Sequence, residues 1–153
     1  MNRSFRLLAV LVLALALLPV NAFAATQIDQ SENVIYFDDG SYMTVELSEI
    51  SARAMFTTSG SKTCTFHASD GESLWKVVLN GTFTYTGAAA ACTEASCNVT
   101  IYDSAWSVES KTSETSSNSA VAEVTIIKKL LGITVDRETV SLKLTCSVDG
   151  TLS

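Results

Sequence analysis

Residues 73–87 read SLWKVVLNGTFTYTG, and apolar and polar side chains change places at almost every step. Trp75, Val77, Leu79, Phe83 and Tyr85 share one parity, while Lys76, Asn80, Thr82 and Thr84 share the other. That period of two belongs to a half-buried β-strand, because successive side chains of an extended backbone point to opposite faces. On a helix the same residues would scatter around the axis without forming an apolar stripe. This alternation limits the fold more than any other feature, because it returns along most of the chain. Residues 34–37 and 43–47 alternate around Asp38-Asp39-Gly40-Ser41, which predicts a hairpin with an Asp-Gly turn. Its buried face is expected to carry Ile35, Phe37, Met43, Val45 and Leu47. KTCTFHA, residues 62–68, sets Cys64, Phe66 and Ala68 on one side. Residues 98–103 and 105–110 make two short strands with Val99, Ile101, Trp106 and Val108 inward.

A Ser/Thr-rich stretch, residues 111–119, reads as a connection. Beyond it Ala120, Ala122, Val124 and Ile126 alternate, Leu131-Gly132 marks a turn, and Val140, Leu142, Leu144 and Cys146 share a face of the last strand. Gly81 sits inside the long strand pattern, where a bulge or bend is expected. Residues 48–61 fit a loop or a short helical turn. The one proline is Pro19, ahead of all these strands. About eight strands with turn signals between them predict an all-β antiparallel β-sandwich of immunoglobulin-like arrangement. It would be a single domain over residues 32–153, with an N-terminal hairpin at 32–50 and the main sandwich at 62–153.

The first residues belong to a different design. Arg3 and Arg6 precede an unbroken apolar run over residues 7–18, Pro19 ends it, and Ala22-Phe23-Ala24 presents small residues where a signal peptidase reads. This three-part pattern is that of a secretory signal peptide cleaved after Ala24, with residues 25–31 as a polar, flexible lead-in. The run is short for a membrane span, which needs roughly 20 apolar residues. Cleavage removes Arg3 and Arg6 from 10 basic residues and none of the 16 acidic ones, so the net charge falls from −6 to −8. Nucleic acids and anionic lipids are recognised by clustered positive charge. Neither nucleic acid nor membrane is therefore an expected partner of the secreted, extracellular form.

Cys64, Cys92, Cys97 and Cys146 lie in the exported part, where disulfides are the default chemistry. Four cysteines permit three connectivities that sequence alone does not separate. Cys92 with Cys146 would close a loop of over fifty residues and stabilise by roughly 3–4 kcal/mol in the chain-entropy model, leaving Cys64 with Cys97. The competing arrangement staples Cys92 to Cys97 and pins Cys64 to Cys146. A structural zinc site needs paired Cys or Cys/His spacings, and this chain offers one C-x₄-C and one histidine. A redox pair prefers C-x-x-C at a helix start. No metal and no cofactor are expected.

Other chemistry is thin. His67 alternates with Phe66 and Ala68 and is expected to face solvent, and no serine sits in a G-x-S-x-G nucleophile elbow. Asp38-Asp39 is accounted for by the turn and is too short for a calcium loop. Asn80-Gly81-Thr82 and Asn98-Val99-Thr100 match the N-glycosylation pattern. Trp75 and Trp106 share parity with aliphatic neighbours and belong to the core. Tyr36, Tyr42 and Tyr102 have the opposite parity, with Tyr36 and Tyr42 facing each other across the first turn, and are the candidate contact surface.

The phrases YFDDGSYMTVEL, WKVVLNGTFTYTG, IYDSAW and LTCSVDGTLS together resemble small secreted, Clostridia-like proteins of Gram-positive gut anaerobes, a group with no assigned activity. The resemblance covers most of the exported chain and implies a secreted β-fold. It also implies that the pair matching Cys92 and Cys146 is the group's own, with Cys64 and Cys97 as additions. The expected function is non-enzymatic binding of an extracellular protein or glycan. The alternatives are a structural subunit of a surface assembly completed by strand exchange and, third, a small hydrolase with an unrecognised site.

Overall fold

The protein is described by a computed structural model over residues 33–50 and 56–153. The leader at 1–24 and the lead-in at 25–31 lie outside the described residues. Among the described residues eight strands form: β1 (Asn33–Tyr36), β2 (Tyr42–Ile50), β3 (Thr57–His67), β4 (Ser73–Tyr85), β5 (Ala90–Ile101), β6 (Trp106–Ser116), β7 (Ser119–Leu130) and β8 (Ile133–Thr145). They build a five-stranded sheet in the order β1-β2-β3-β4-β5 and a three-stranded sheet in the order β6-β7-β8, antiparallel throughout. The two sheets pack face to face as a β-sandwich.

Within each sheet every strand pairs only with its neighbours in sequence. This meander corrects the immunoglobulin-like expectation, since that arrangement needs Greek-key connections. The reason lies in the connections, which are short enough to return each strand beside the one before it.

The core follows the alternation. Trp75, Val77, Leu79 and Phe83 of β4 are fully buried against Ala120, Ala122, Val124 and Ile126 of β7 and Val140, Leu142 and Leu144 of β8. At one end the rings close up: Phe66 stacks on Trp75 at 5.1 Å, and Trp106 meets Phe66 edge-on at 5.6 Å and Trp75 at 6.4 Å. The indole Nε1 atoms of Trp75 and Trp106 have no conventional acceptor among the described residues. Edge-to-face packing of this kind can partly satisfy an N–H through a π face.

Gly81 comes within contact of the opposite sheet. A Cβ there would lie 2.7 Å from the Phe83 ring and 3.1 Å from Ala120 Cβ. The expected bulge is displaced onto the partner strand: Thr82 pairs with Glu94 and Phe83 with Cys92, which leaves Thr93 as the extra residue.

Three segments differ from expectation. β2 runs to Ile50 and β3 starts at Thr57, so most of residues 48–61 is strand; residues 51–55 lie outside the described residues. β5 begins at Ala90 rather than near Asn98, and β6 continues to Ser116 through the Ser/Thr-rich stretch. Threonine favours extended backbone, and β6 is an edge strand whose residues 108–116 are exposed, so polarity on both faces costs nothing there. The first hairpin is only partly covered, because three strands do not span five. Met43 is buried, Val45 and Phe37 are half-buried, and Ile35 and Leu47 remain 49% and 39% exposed.

Candidate functional site

The outer face of the five-stranded sheet carries residues of the polar parity. Register aligns them in rows across the strands. One row reads Tyr36, Tyr42, His67 and Ser73 over β1 to β4. Its rings are in contact: Tyr36 and Tyr42 lie 5.7 Å apart and tilted, and Tyr42 stacks on His67 at 4.6 Å with 14° between planes. Ser73 Oγ is 3.3 Å from His67 Nδ1 and Thr44 Oγ1 is 3.4 Å from Nε2. In either neutral tautomer one hydroxyl accepts from the ring N–H while the other donates to the bare nitrogen. The imidazole is thus held by stacking and two hydroxyls. Tyr36, at the sheet edge, is 75% exposed.

The structure therefore joins two of the three tyrosines singled out from sequence. Tyr102 follows β5, donates its main-chain N–H to Leu74 O at 2.9 Å, and is 51% exposed at the same end of the sandwich. His67 is the member that sequence reasoning placed on the surface without a role. Its outward parity was readable from the sequence; its pairing with Tyr42 across β2 and β3 was not.

Further along the same face the rungs are mainly hydroxyls and amides, with Glu46, Lys76 and Val78 among them. Thr44, Thr65, Lys76 and Thr100 form one row, and Ser48, Ser61, Asn80 and Ser96 another. Asn80, Thr82, Glu94 and Ser96 line a shallow cleft of about 140 Å³. Ser59 Oγ donates to Thr82 Oγ1 at 3.2 Å, and Thr93 Oγ1 donates to Thr82 O at 3.1 Å. The Thr93 bulge thus shapes the cleft wall.

The cysteines stand on the inner side. No two of the four are bonded to each other in this structure. Cys92 lies opposite Phe83 on β5, and Cys146 follows β8 with no exposure. Their main-chain N–H groups donate to adjacent carbonyls of the β6–β7 turn, Cys92 to Ser117 O at 2.8 Å and Cys146 to Asn118 O at 2.9 Å. Burial raises the Cys146 thiol, and Asp149 and Cys92 nearby raise it further. Burial pushes Cys64 up to about 11. The Cys64–Cys97 pairing does not fit the strand order. β4 runs between β3 and β5, so the two backbones stand about 10 Å apart at two strand spacings, beyond the roughly 7 Å that a disulfide spans. Cys92 and Cys97 share one strand, too far apart along it, at ~3.3 Å per residue, to bond. Among the described residues no group of three or more His, Cys, Asp or Glu gathers where it could hold a metal ion.

Comparison with protein-family models, curated proteins and solved structures finds no match for this chain.

Proposed function

We propose that this chain is an exported, non-enzymatic binding protein that takes a glycan on the outer face of its five-stranded sheet. The observation carrying this reading is the Tyr36–Tyr42–His67 row beside rungs of hydroxyl and amide side chains. Sugars present C–H faces that pack on aromatic rings and hydroxyls that exchange hydrogen bonds with Ser, Thr and Asn. A held imidazole and a tyrosine with an open face supply the first, and the neighbouring rows supply the second. The leader pattern at residues 1–24 supports export. The approach of Cys92 and Cys146 around one turn supports a single bridge between the sheets, with Cys64 and Cys97 remaining thiols.

A glycan-array screen followed by titration calorimetry tests the reading. Tyr42→Ala removes the middle ring and is expected to weaken binding at least tenfold with the fold intact. A ligand bound equally by this variant, or no glycan ligand with measurable hydrolysis instead, would overturn it.

One observation favours a second reading, a subunit completed by strand exchange. β1 pairs only with residues 42–45 of β2, and among the described residues nothing pairs with the same edge of β2 over residues 46–50. An extended segment from a neighbouring molecule could add there. Sizing of the exported protein separates the two, since a monomer at all concentrations excludes exchange.

A further inference from the structure

The four turns at the Tyr36 end of the sandwich include the β7–β8 hairpin, which projects past the rest. β6 begins at Trp106 opposite Lys128, and Lys129 N–H donates to Ala105 O at 2.8 Å. Beyond that anchor the rungs Lys129–Thr134 and Leu130–Ile133 pair only with each other, and residues 129–137 are all exposed. The side chains presented there are aliphatic: Leu130, Leu131, Ile133 and Val135, at 63%, 96%, 69% and 55% exposure.

Leu131 and Gly132 have φ of 51° and 82°, the two consecutive positive values of a type I′ turn, for which Asn-Gly is the usual choice. Leucine in the left-handed region is disfavoured by its Cβ. The most exposed position of the arm thus holds a large aliphatic residue where backbone and solvent both favour asparagine. The local structure gives no stabilising reason for it.

We propose that this hairpin tip inserts into the interfacial layer of a phospholipid bilayer. Three features select a bilayer over a protein groove. The patch is convex and built from four side chains, a few hundred Å², well under the ~800 Å² per partner of a specific protein interface. Its six residues 130–135 carry no charge, while Lys128 and Lys129 precede them and Asp136 and Arg137 follow, which is a charged collar at headgroup depth. Tyr102 is exposed at the same end, and tyrosine favours the membrane–water boundary. Insertion driven by aliphatic area does not need the net positive charge that this chain lacks, so the expectation of no membrane partner, which rested on charge, does not reach this surface.

The test is vesicle flotation of the exported protein, recovered from culture medium, with phosphatidylcholine liposomes and with liposomes containing phosphatidylglycerol. The wild-type protein is expected to float with both. Leu131→Asn with Ile133→Ser is expected to lower the floating fraction at least tenfold. The single variant Leu131→Asn, which suits the turn, is expected to keep or raise thermal stability while reducing flotation. Absence of wild-type flotation, equal flotation of the double variant, or tip-dependent self-association without vesicles would each overturn the proposal. None of these outcomes depends on glycan binding.

Discussion

Gly81→Ala tests how closely the two sheets approach. The added methyl would sit 2.7 Å from two carbons of the fully buried Phe83 ring and 3.1 Å from Ala120 Cβ on the facing sheet. Gly81 carries no positive φ, so backbone conformation does not oppose alanine. On its own, alanine in a strand gains roughly 0.5–1 kcal/mol over glycine through chain entropy. Against that, forcing a methyl into a packed core costs about 1–3 kcal/mol. The Phe83 ring cannot swing outward without opening the space it fills, so the net result is a loss of about 0.5–2 kcal/mol, or a melting temperature lower by roughly 2–8 °C. Urea unfolding followed by the fluorescence of the buried Trp75 and Trp106 measures it. Combining Gly81→Ala with Phe83→Leu removes the ring that the methyl meets, and the pair is expected to couple favourably by more than ~0.5 kcal/mol in a double-mutant cycle. A Gly81→Ala variant as stable as the parent, or strict additivity with Phe83→Leu, would refute the close-approach argument.

Two further outcomes follow from the same geometry. Non-reducing peptide mapping of the purified protein is expected to join Cys92 to Cys146 and leave Cys64 and Cys97 as thiols, with reduction costing roughly 3–4 kcal/mol; a Cys64–Cys97 bridge contradicts the strand order. Burial raises Glu138, and Asp136 and Asp39 nearby add to it, so the folded state holds this proton more tightly than the unfolded chain. The stability contributed by Glu138 is therefore present below the ordinary glutamate range and falls as pH rises through the raised value. Glu138→Gln is expected to raise the melting temperature at pH 7, with the gain vanishing below about pH 4; a gain independent of pH counts against burial as its cause.

The alternation made most of the core legible. Each of Trp75, Val77, Leu79, Phe83, Ala120, Ala122, Val124 and Ile126 was placed correctly by parity alone, because a strand buried on one face must alternate. What parity could not show was coverage. Ile35 and Leu47 have the inward parity and stay exposed because the second sheet is narrower than the first. Residues 111–116 were hidden by composition, since an edge strand wet on both faces has no apolar signal to give. The bulge at Thr93 also defeats counting: it turns Cys92 and Cys97, odd-spaced in sequence, toward the same side of β5. At the candidate site the two tyrosines of the first hairpin were legible from the turn between them. His67 was not, because its meeting with Tyr42 depends on the β2–β3 register, and residues 51–55 between those strands offer no turn signal.

The meander has a consequence for how the chain becomes folded. Every ladder joins strands that follow one another, and residues 102–105 carry the chain once from the first sheet to the second. Hairpins of this kind close in about 1–10 μs, so each pairing search is local and a single long-range event remains, the docking of one preformed sheet on the other. Folding should accordingly outpace that of Greek-key sandwiches of similar size, whose partner strands start far apart in the chain. A chain that emerges from its N-terminus completes β1 to β5 first and carries the apolar side of that sheet bare until residues 106–145 follow. The hazard of aggregation is concentrated in that interval, and its length is set by the rate at which the rest of the chain follows.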